Sequence, residues 1–292
     1  MTSTARATSA RVTDVEESPR ILVGVDDSAE SRAAVTYVTE LAQHTPITEI
    51  VLAHAYEGWP TGTHDPTVDR LHAEAVERAR GLVDDLAGRI RAATTVPVRT
   101  VLSTARPARM LGVMSDEADL VVVGQDTAGL IERMTLGSIA ARLASSAHCP
   151  VVVVPAPWHA RQFGRPPVVV AVSGDDTSPA PLAEAIAEAR RSRTGVLALH
   201  AIPYFADADE VAEHESDLDT IVTTARQAHP DVEITSLVVR GAPEEHLVRL
   251  SINACATVVG RTHQGGPTAW TRSVAHAVMK RTHCPLIIVP TA

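Results

Sequence analysis

A carboxylate and a pair of small residues at a helix start are the residues in this chain best suited to hold a phosphorylated ligand. Asp26 ends an apolar run that begins at residue 20, and Gly124 ends another at 120–123. Gly137-Ser138 then precedes a helical pattern. A short carboxylate can hydrogen-bond a ribose hydroxyl or a base amine. A helix start offers free N–H groups to phosphate, and a glycine there admits close approach.

The two predicted strand ends can meet only if the sheet is parallel. In an open parallel sheet, ligands bind outside the carboxyl ends of the strands, where the winding direction reverses. Asp26 and Gly124 both occupy such ends. Taken singly, each residue also has an explanation without a ligand, because Asp forms turns, Gly ends strands and Gly-Ser starts helices.

The first half of the chain supplies the elements that such a site needs. Apolar runs predict strands at 20–26, 50–55, 96–102, 120–123 and 151–154. Between them, 3.6-residue periodicity predicts helices over 33–42, after an N-cap at Asp27-Ser28, over 68–90, from Pro107, and over 138–146. The alternation of strand and helix requires parallel pairing and right-handed crossovers.

The second half repeats this pattern. Gly124 and Gly260 are 136 residues apart, as are Pro107 and Pro243. Strands are predicted at 168–172, 195–201, 232–239, 257–259 and 286–289, and helices at 179–191, 208–228, 244–252 and 269–281. A repeat of this length is a duplicated domain. We therefore predict a disordered tail at 1–19, a first domain at 20–155, a linker at 156–166 and a second domain at 167–292.

An ordered set of motifs resembles the universal stress protein family. Those of the first half are Gly24-Val25-Asp26, Ala105-Arg106-Pro107-Ala108, Gly124-x2-Thr127-x9-Gly137-Ser138 and His148-Cys149-Pro150, and the set returns in part over 167–290. The resemblance implies an α/β fold of two tandem Rossmann-like (adenine nucleotide alpha hydrolase-like) domains. Each would be a five-stranded parallel sheet with helices on both faces.

The same resemblance implies a ligand and its contacts. The ligand would be ATP or another adenine nucleotide, held at Asp26 and the loop from Gly124 to Ser138, and the domains would pair, with a homodimer expected. The predicted contact residues are Gly24, Val25, Asp26, Ala53, Val123, Gly124, Thr127, Gly137, Ser138 and Ile139.

The chain departs from the family pattern in both halves. Thr127 stands where the loop has a second glycine, and Asp126 would repel phosphates unless a divalent cation such as Mg²⁺ intervenes. In the second half, Ser173 replaces Asp26 and Arg272 replaces Gly137. We interpret the second domain as a retained fold with a lost or altered site.

Histidine and cysteine pairs predict no metal site. His148-Cys149 and His283-Cys284 are adjacent residues whose side chains point opposite ways at a strand start, so each pair is predicted to be a buried thiol beside a capping histidine. His54 and His200 hold matching places in the second strand of each half. Either they bond to the backbone, or they edge a base pocket.

Bulk properties exclude several classes of function. The formal charge of −9 and dispersed basic residues argue against nucleic-acid binding. No apolar run approaches the roughly 20 residues that span a bilayer, so no membrane partner is expected. Three cysteines and no apolar leader segment indicate the cytoplasm.

The predicted function is a non-catalytic module in which ATP orders the loop at 125–136 and so changes a surface read by a partner. Two alternatives stay open: an oligomerisation scaffold that binds no nucleotide, and a slow ATPase or nucleotidyl-transfer enzyme.

Overall fold

A computed structural model of the chain describes residues 18–58, 66–125, 139–159, 165–173, 179–261 and 273–290. Strands β1 to β5 span Arg20–Gly24, Glu49–Ala55, Val98–Ser103, Leu120–Gly124 and Val151–Val154. Strands β6 to β10 span Val168–Ala171, Val196–Ile202, Ile234–Arg240, Ala256–Arg261 and Leu286–Pro290.

Eight α-helices are described in these ranges. Helices α1 to α4 span Ala29–His44, Pro66–Ala93, Pro107–Met114 and Ile139–Ser146. Helices α5 to α8 span Pro179–Ser192, Ala208–Ala228, Pro243–Ser251 and Val274–Met279.

All described strands belong to one sheet, in the order β3-β2-β1-β4-β5-β10-β9-β6-β7-β8. Every pair within each half is parallel, as the alternation of elements predicts. The winding direction reverses between β1 and β4, because β2 and β3 lie on one side of β1 while β4 and β5 lie on the other. The predicted crevice position in the first half therefore exists.

The helix boundaries follow local signals in the sequence. The Ser28 hydroxyl caps α1 by accepting a hydrogen bond from the Ser31 N–H at 3.0 Å. Prolines occupy the first turn of α3 and of α7, where their missing N–H costs nothing. The prediction for 269–281 was too long among the described residues, because α8 is helical only over Val274–Met279 and Lys280 caps it.

Two layers of helices cover the sheet. Buried residues of α1, α2, α5 and α6 pack on one face, and those of α3, α4, α7 and α8 pack on the other. In β4, Val122 faces the first layer, while Val121 and Val123 face the second. Burial on both faces explains why the strands are continuous valine runs without polar alternation.

The two halves join through an antiparallel pair of strands at the middle of the sheet. Strand β5 pairs with β10, and Val152 lies opposite Ile287. These two residues occupy equivalent places in the repeat, each the second residue after His-Cys-Pro. The sheet therefore has a pseudo-two-fold axis at this pair, and the sequence analysis did not predict that the two five-stranded sheets would be continuous.

Candidate functional site

A cavity of about 520 Å³ lies at the carboxyl ends of β1, β2 and β4, between helices α1, α3 and α4. Its volume is in the range of small-molecule sites. The described residues that line it are Gly24, Val25, Asp26, Ser28, Glu30, Ser31, Ala53, Ala55, Pro107, Met110, Leu111, Val123, Gly124, Gln125, Ile139 and Ala140.

The structure brings most of the predicted contact residues to this cavity. Seven of them line it, namely Gly24, Val25, Asp26, Ala53, Val123, Gly124 and Ile139. The other three, Thr127, Gly137 and Ser138, lie outside the described residues, as does the rest of the loop at 126–138. Asp26 and Gly124 therefore share one crevice, although they are almost a hundred residues apart in the chain.

Asp26 is held in place through one of its two carboxylate oxygens. Oδ1 accepts hydrogen bonds from the Ser28 N–H at 3.0 Å, from the Ser31 hydroxyl at 2.6 Å and from the Ser28 hydroxyl. The Asp26 N–H in turn donates to Ser31 Oγ at 2.8 Å. From the described residues, Oδ2 receives no hydrogen bond, so it remains available to an incoming donor.

These bonds also set the charge of Asp26. Partial burial raises the pKa of the Asp26 carboxyl, because it removes water from the charged form. Hydrogen bonds from Ser28 and Ser31 outweigh that effect and hold the pKa below its usual value. Asp26 nevertheless stays exposed at the cavity rim. It is therefore an ionised hydrogen-bond acceptor at neutral pH.

Two glycines let the walls of the crevice approach each other. A Cβ on Gly24 would lie 2.6 Å from Leu111 Cδ1, so the absence of a side chain lets α3 settle on β1. A Cβ on Gly124 would lie 2.5 Å from the Glu30 carbonyl carbon and 2.7 Å from its oxygen. Gly124 is therefore required where β4 passes under the first turn of α1, whether or not a ligand binds.

The lining is apolar at its floor and acidic at its rim. Val25, Ala53, Leu111 and Val123 present hydrocarbon, which suits the faces of a flat heterocycle. Asp26 and Glu30 are carboxylates, and the described lining contains no Lys, Arg or His. A highly charged anion would need a cation to enter this crevice.

Sequence reasoning missed nine of the described lining residues. They are Ser28, Glu30, Ser31, Ala55, Pro107, Met110, Leu111, Gln125 and Ala140. Some signals were available, because Pro107 marks the start of α3 and the apolar residues three and four positions later must face the sheet. Nothing local in the sequence indicates that Ser31 reaches back to Asp26.

The structure bears out the buried thiols and the backbone bonds of the strand histidines, while the side chain of His148 pairs with Asp116. His54 Nδ1 donates to the Val25 carbonyl and His200 Nδ1 to the Val172 carbonyl, each at 2.8 Å, so both histidines bond to the backbone. Cys149 and Cys284 are buried free thiols. Over the described ranges, no cluster of three His, Cys, Asp or Glu residues could hold a metal ion.

The equivalent region of the second half is built from larger side chains. In the first half, Gly24 pairs with Ala53 across β1 and β2. In the second, Ala171 pairs with Leu199 across β6 and β7, and Leu199 is 1% exposed. The leucine therefore occupies the floor position that Ala53 leaves open, and the repeat comparison could have revealed this difference.

Two buried side chains connect the cavity to the second half. Gln125 Nε2 donates to the Met279 carbonyl at 2.7 Å, at the end of α8. In the opposite direction, Arg261 donates through NH1 to the carbonyls of Ala144 at 3.1 Å and Ala147 at 2.9 Å, at the end of α4. Burial lowers the pKa of Arg261.

The strand order and the crevice at the winding reversal make each half a Rossmann-like α/β domain. The sequence model of the universal stress protein family matches residues 17–155 and again 165–290. The chain therefore belongs to the universal stress protein family, as a tandem of two such domains.

Known relatives agree with this assignment over nearly the whole chain. A universal stress protein of Mycolicibacterium smegmatis is 32% identical over 285 residues, which cover 92% of this chain and 96% of that protein. One of Mycobacterium tuberculosis is 31% identical over 297 residues, with 92% and 95% coverage. The crystal structure of a universal stress protein from Archaeoglobus fulgidus superposes with a TM-score of 0.73 at 17% identity, covering 94% and 97% of the chains.

Among the helices that the structure describes, none combines the length and the apolar composition needed to cross a bilayer.

Proposed function

We propose that the first domain, residues 20–155, binds an adenine nucleotide in the crevice between β1 and β4, with ATP and Mg²⁺ as the form to be tested. The observation that supports this most directly is the cavity itself. It joins an apolar floor, an ionised Asp26 with Oδ2 available, and the glycine that ends β4. The floor suits adenine, and Oδ2 suits a ribose hydroxyl.

Mg²⁺ is included for an electrostatic reason. Asp26 and Glu30 lie at the rim, and Asp126 follows in the sequence. A triphosphate carries a large negative charge, which these carboxylates would repel. Bound Mg²⁺ would offset part of that charge. Thr127, Gly137 and Ser138 complete the proposed contact set.

The proposed role is regulatory and cytoplasmic, without catalysis. No general base near the proposed phosphate end is evident from the sequence, and three cysteines without a disulfide among them fit a reducing compartment. The homodimer stays a prediction, which light scattering of the purified chain tests. We also propose that the second domain comprises residues 167–292 and follows a linker at 156–166. In that domain, Leu199 stands at the position that Ala53 holds in the cavity floor of the first.

Calorimetric titration of the full chain with ATP and Mg²⁺ is the decisive experiment. We expect saturable heat at sub-millimolar nucleotide with one site per chain, and nucleotide that co-purifies should be visible by absorbance and chromatography. Gly137→Arg, which copies Arg272, should abolish binding. No heat and no retained nucleotide would favour the scaffold alternative, while turnover that is lost in Asp126→Asn would favour the enzyme.

A further inference from the structure

We propose that the second domain positions the nucleotide site of the first, with Arg261 as the positioning residue; this inference rests on the proposed function. Arg261 ends β9 and is only 6% exposed. Its NH1 group donates to the Ala144 and Ala147 carbonyls at 3.1 and 2.9 Å. These carbonyls lie at the end of α4, whose first two residues, Ile139 and Ala140, line the cavity.

The chemistry of a helix end explains why this contact matters. The last four carbonyls of a helix lack partners inside the helix. The Leu143 carbonyl accepts from the Ala147 N–H, whereas Ala144 and Ala147 accept from Arg261. Ala144 and Ala147 are buried, so removing the guanidinium would leave two carbonyls poorly satisfied. A cation also interacts favourably with the negative end of the helix dipole.

A second contact runs in the opposite direction. Gln125 follows the glycine that ends β4, lines the cavity, and donates to the Met279 carbonyl at 2.7 Å. Arg261 follows the equivalent glycine, Gly260. Ala144 and Met279 are also equivalent, since each precedes the cysteine of His-Cys-Pro by five residues. The two contacts are therefore copies related by the pseudo-two-fold axis.

Together these contacts attach two walls of the site to the second domain. Helix α4 is held by Arg261, and Gln125 is held by α8. The two halves meet at the pair of strands β5 and β10, which we call the domain junction. A ligand that requires one arrangement of Gln125 and α4 must then favour one arrangement of this junction. Coupling of this kind is reciprocal, so the junction must in turn change the affinity for the ligand.

Arg261→Met tests the proposal, because methionine keeps an unbranched apolar stem but has no donor. We expect its Kd for ATP and Mg²⁺, measured by calorimetry, to rise about tenfold, within the usual range of coupling between sites. Arg261→Gln copies Gln125 and should restore the Kd to within about threefold of wild type, since one hydrogen bond suffices on the other side of the axis.

Arg240→Met is the matched control. Arg240 also donates through NH1 to two carbonyls, at 3.3 Å to Tyr204 and 2.5 Å to Ala206, but all three residues lie in the second domain. This variant should keep the wild-type Kd. A wild-type Kd for Arg261→Met, or an equal loss for both variants, would overturn the proposal. If Arg261→Met does not fold, a Kd for Arg261→Gln more than about threefold below that of wild type would do the same.

Hydrogen exchange separates this inference from the proposed function. Nucleotide should slow hydrogen exchange at residues 279–282 of the wild-type chain. Gln125→Ala should remove that response. A response that persists in the variant contradicts the coupling. If the wild type binds no nucleotide, the proposed function fails, but the unliganded proteins still test the contact. Faster exchange over 139–147 in Arg261→Met than in Arg240→Met supports positioning, and equal exchange refutes it.

Discussion

The two halves of this chain share a fold but differ in what their crevices can admit. In the first half, Gly24 and Ala53 leave an open floor beneath Asp26. In the second, Ala171 and Leu199 occupy the paired positions, and Ser173 stands where the carboxylate would be. The matched strands thus differ by a few methyl groups at the positions that form the floor of the first cavity, and Leu199 is buried where Ala53 lines that cavity. The helices and strand order are unaffected.

The largest expected effect comes from making the first half resemble the second. Ala53→Leu places a branched side chain into the cavity floor, which we expect to cost about 3 kcal/mol of binding free energy, or roughly 100-fold in Kd for ATP and Mg²⁺. Ala53 is only 1% exposed, so the larger side chain should also lower the unfolding free energy by about 1–3 kcal/mol. Calorimetric titration beside a melting curve measures both.

The reciprocal change provides the control for this comparison. Leu199→Ala should leave the Kd of the first domain unchanged, while the lost core volume lowers the unfolding free energy by about 2–5 kcal/mol. A second binding site per chain in Leu199→Ala would show that the leucine alone closes the second crevice. An unchanged Kd in Ala53→Leu would place the ligand away from β2.

Gly124→Ala tests the strand-end glycine that both halves share, as Gly124 in the first and Gly260 in the second. The new Cβ would meet the Glu30 backbone at 2.5 Å, which a rotamer change cannot relieve. We expect the unfolding free energy to fall by about 2 kcal/mol, measured by urea denaturation. Gly81→Ala, in the interior of α2 with no atom within 4 Å of its added Cβ, should instead stabilise the chain by about 0.5–1 kcal/mol. Equal stability of the two variants would contradict this account of β4.

Asp26→Ser copies the second half at the rim of the crevice. Losing a charged acceptor for a ligand hydroxyl should weaken nucleotide binding by about 1.5 kcal/mol, or about tenfold in Kd. Asp27→Ser is the matched control, because Asp27 pairs with Arg32 at 2.9 Å and does not line the cavity. Equal Kd values for the two variants would remove Asp26 from the proposed site.

The smallest effect is a pH dependence that the two halves share. Burial raises the pKa of Asp26, but hydrogen bonds from Ser28 and Ser31 outweigh it and hold the pKa below its usual value. The contribution of Asp26 to stability is therefore present above that usual value and is lost as the pH falls through the lowered pKa. In the second half, the Arg190 hydrogen bond lowers the pKa of Asp231 to about 2, with the same sign. Acid titration of stability should show a smaller loss in Asp26→Asn than in wild type. A larger loss would reverse the assigned sign.

Much of the fold could be predicted because its signals are local. The positions of the strands and helices were predicted to within a few residues from continuous apolar runs, the Ser28 cap and Pro107. The position of the crevice was predicted from the glycines at the strand ends. The pairing of β5 with β10 could not be predicted in this way, since it depends on contact between residues more than a hundred positions apart. The sequence did indicate that β5 and β10 need a partner strand, because both are apolar at every position. An exposed edge strand usually carries charged residues or bulges.

Site residues that end strands could be predicted, because the topology of the sheet fixes their positions. Site residues whose side chains come together from separate elements were harder to predict. Gly24, Asp26 and Gly124 end strands, so their place in the crevice follows from topology. Ser31 and Gln125 act through contacts that local spacing does not encode. The informative comparison was internal, because aligning the halves sets Ala53 against Leu199 and Gln125 against Arg261.

The covalent connection of the two halves has an evolutionary consequence for the junction. In a dimer of identical chains, every substitution appears on both sides of the symmetry axis, so a glutamine could not become an arginine on one side only. Fusion of a duplicated gene removes that constraint. Gln125 and Arg261 make equivalent contacts across the pseudo-two-fold axis with different side chains, which a symmetric dimer of identical chains could not do.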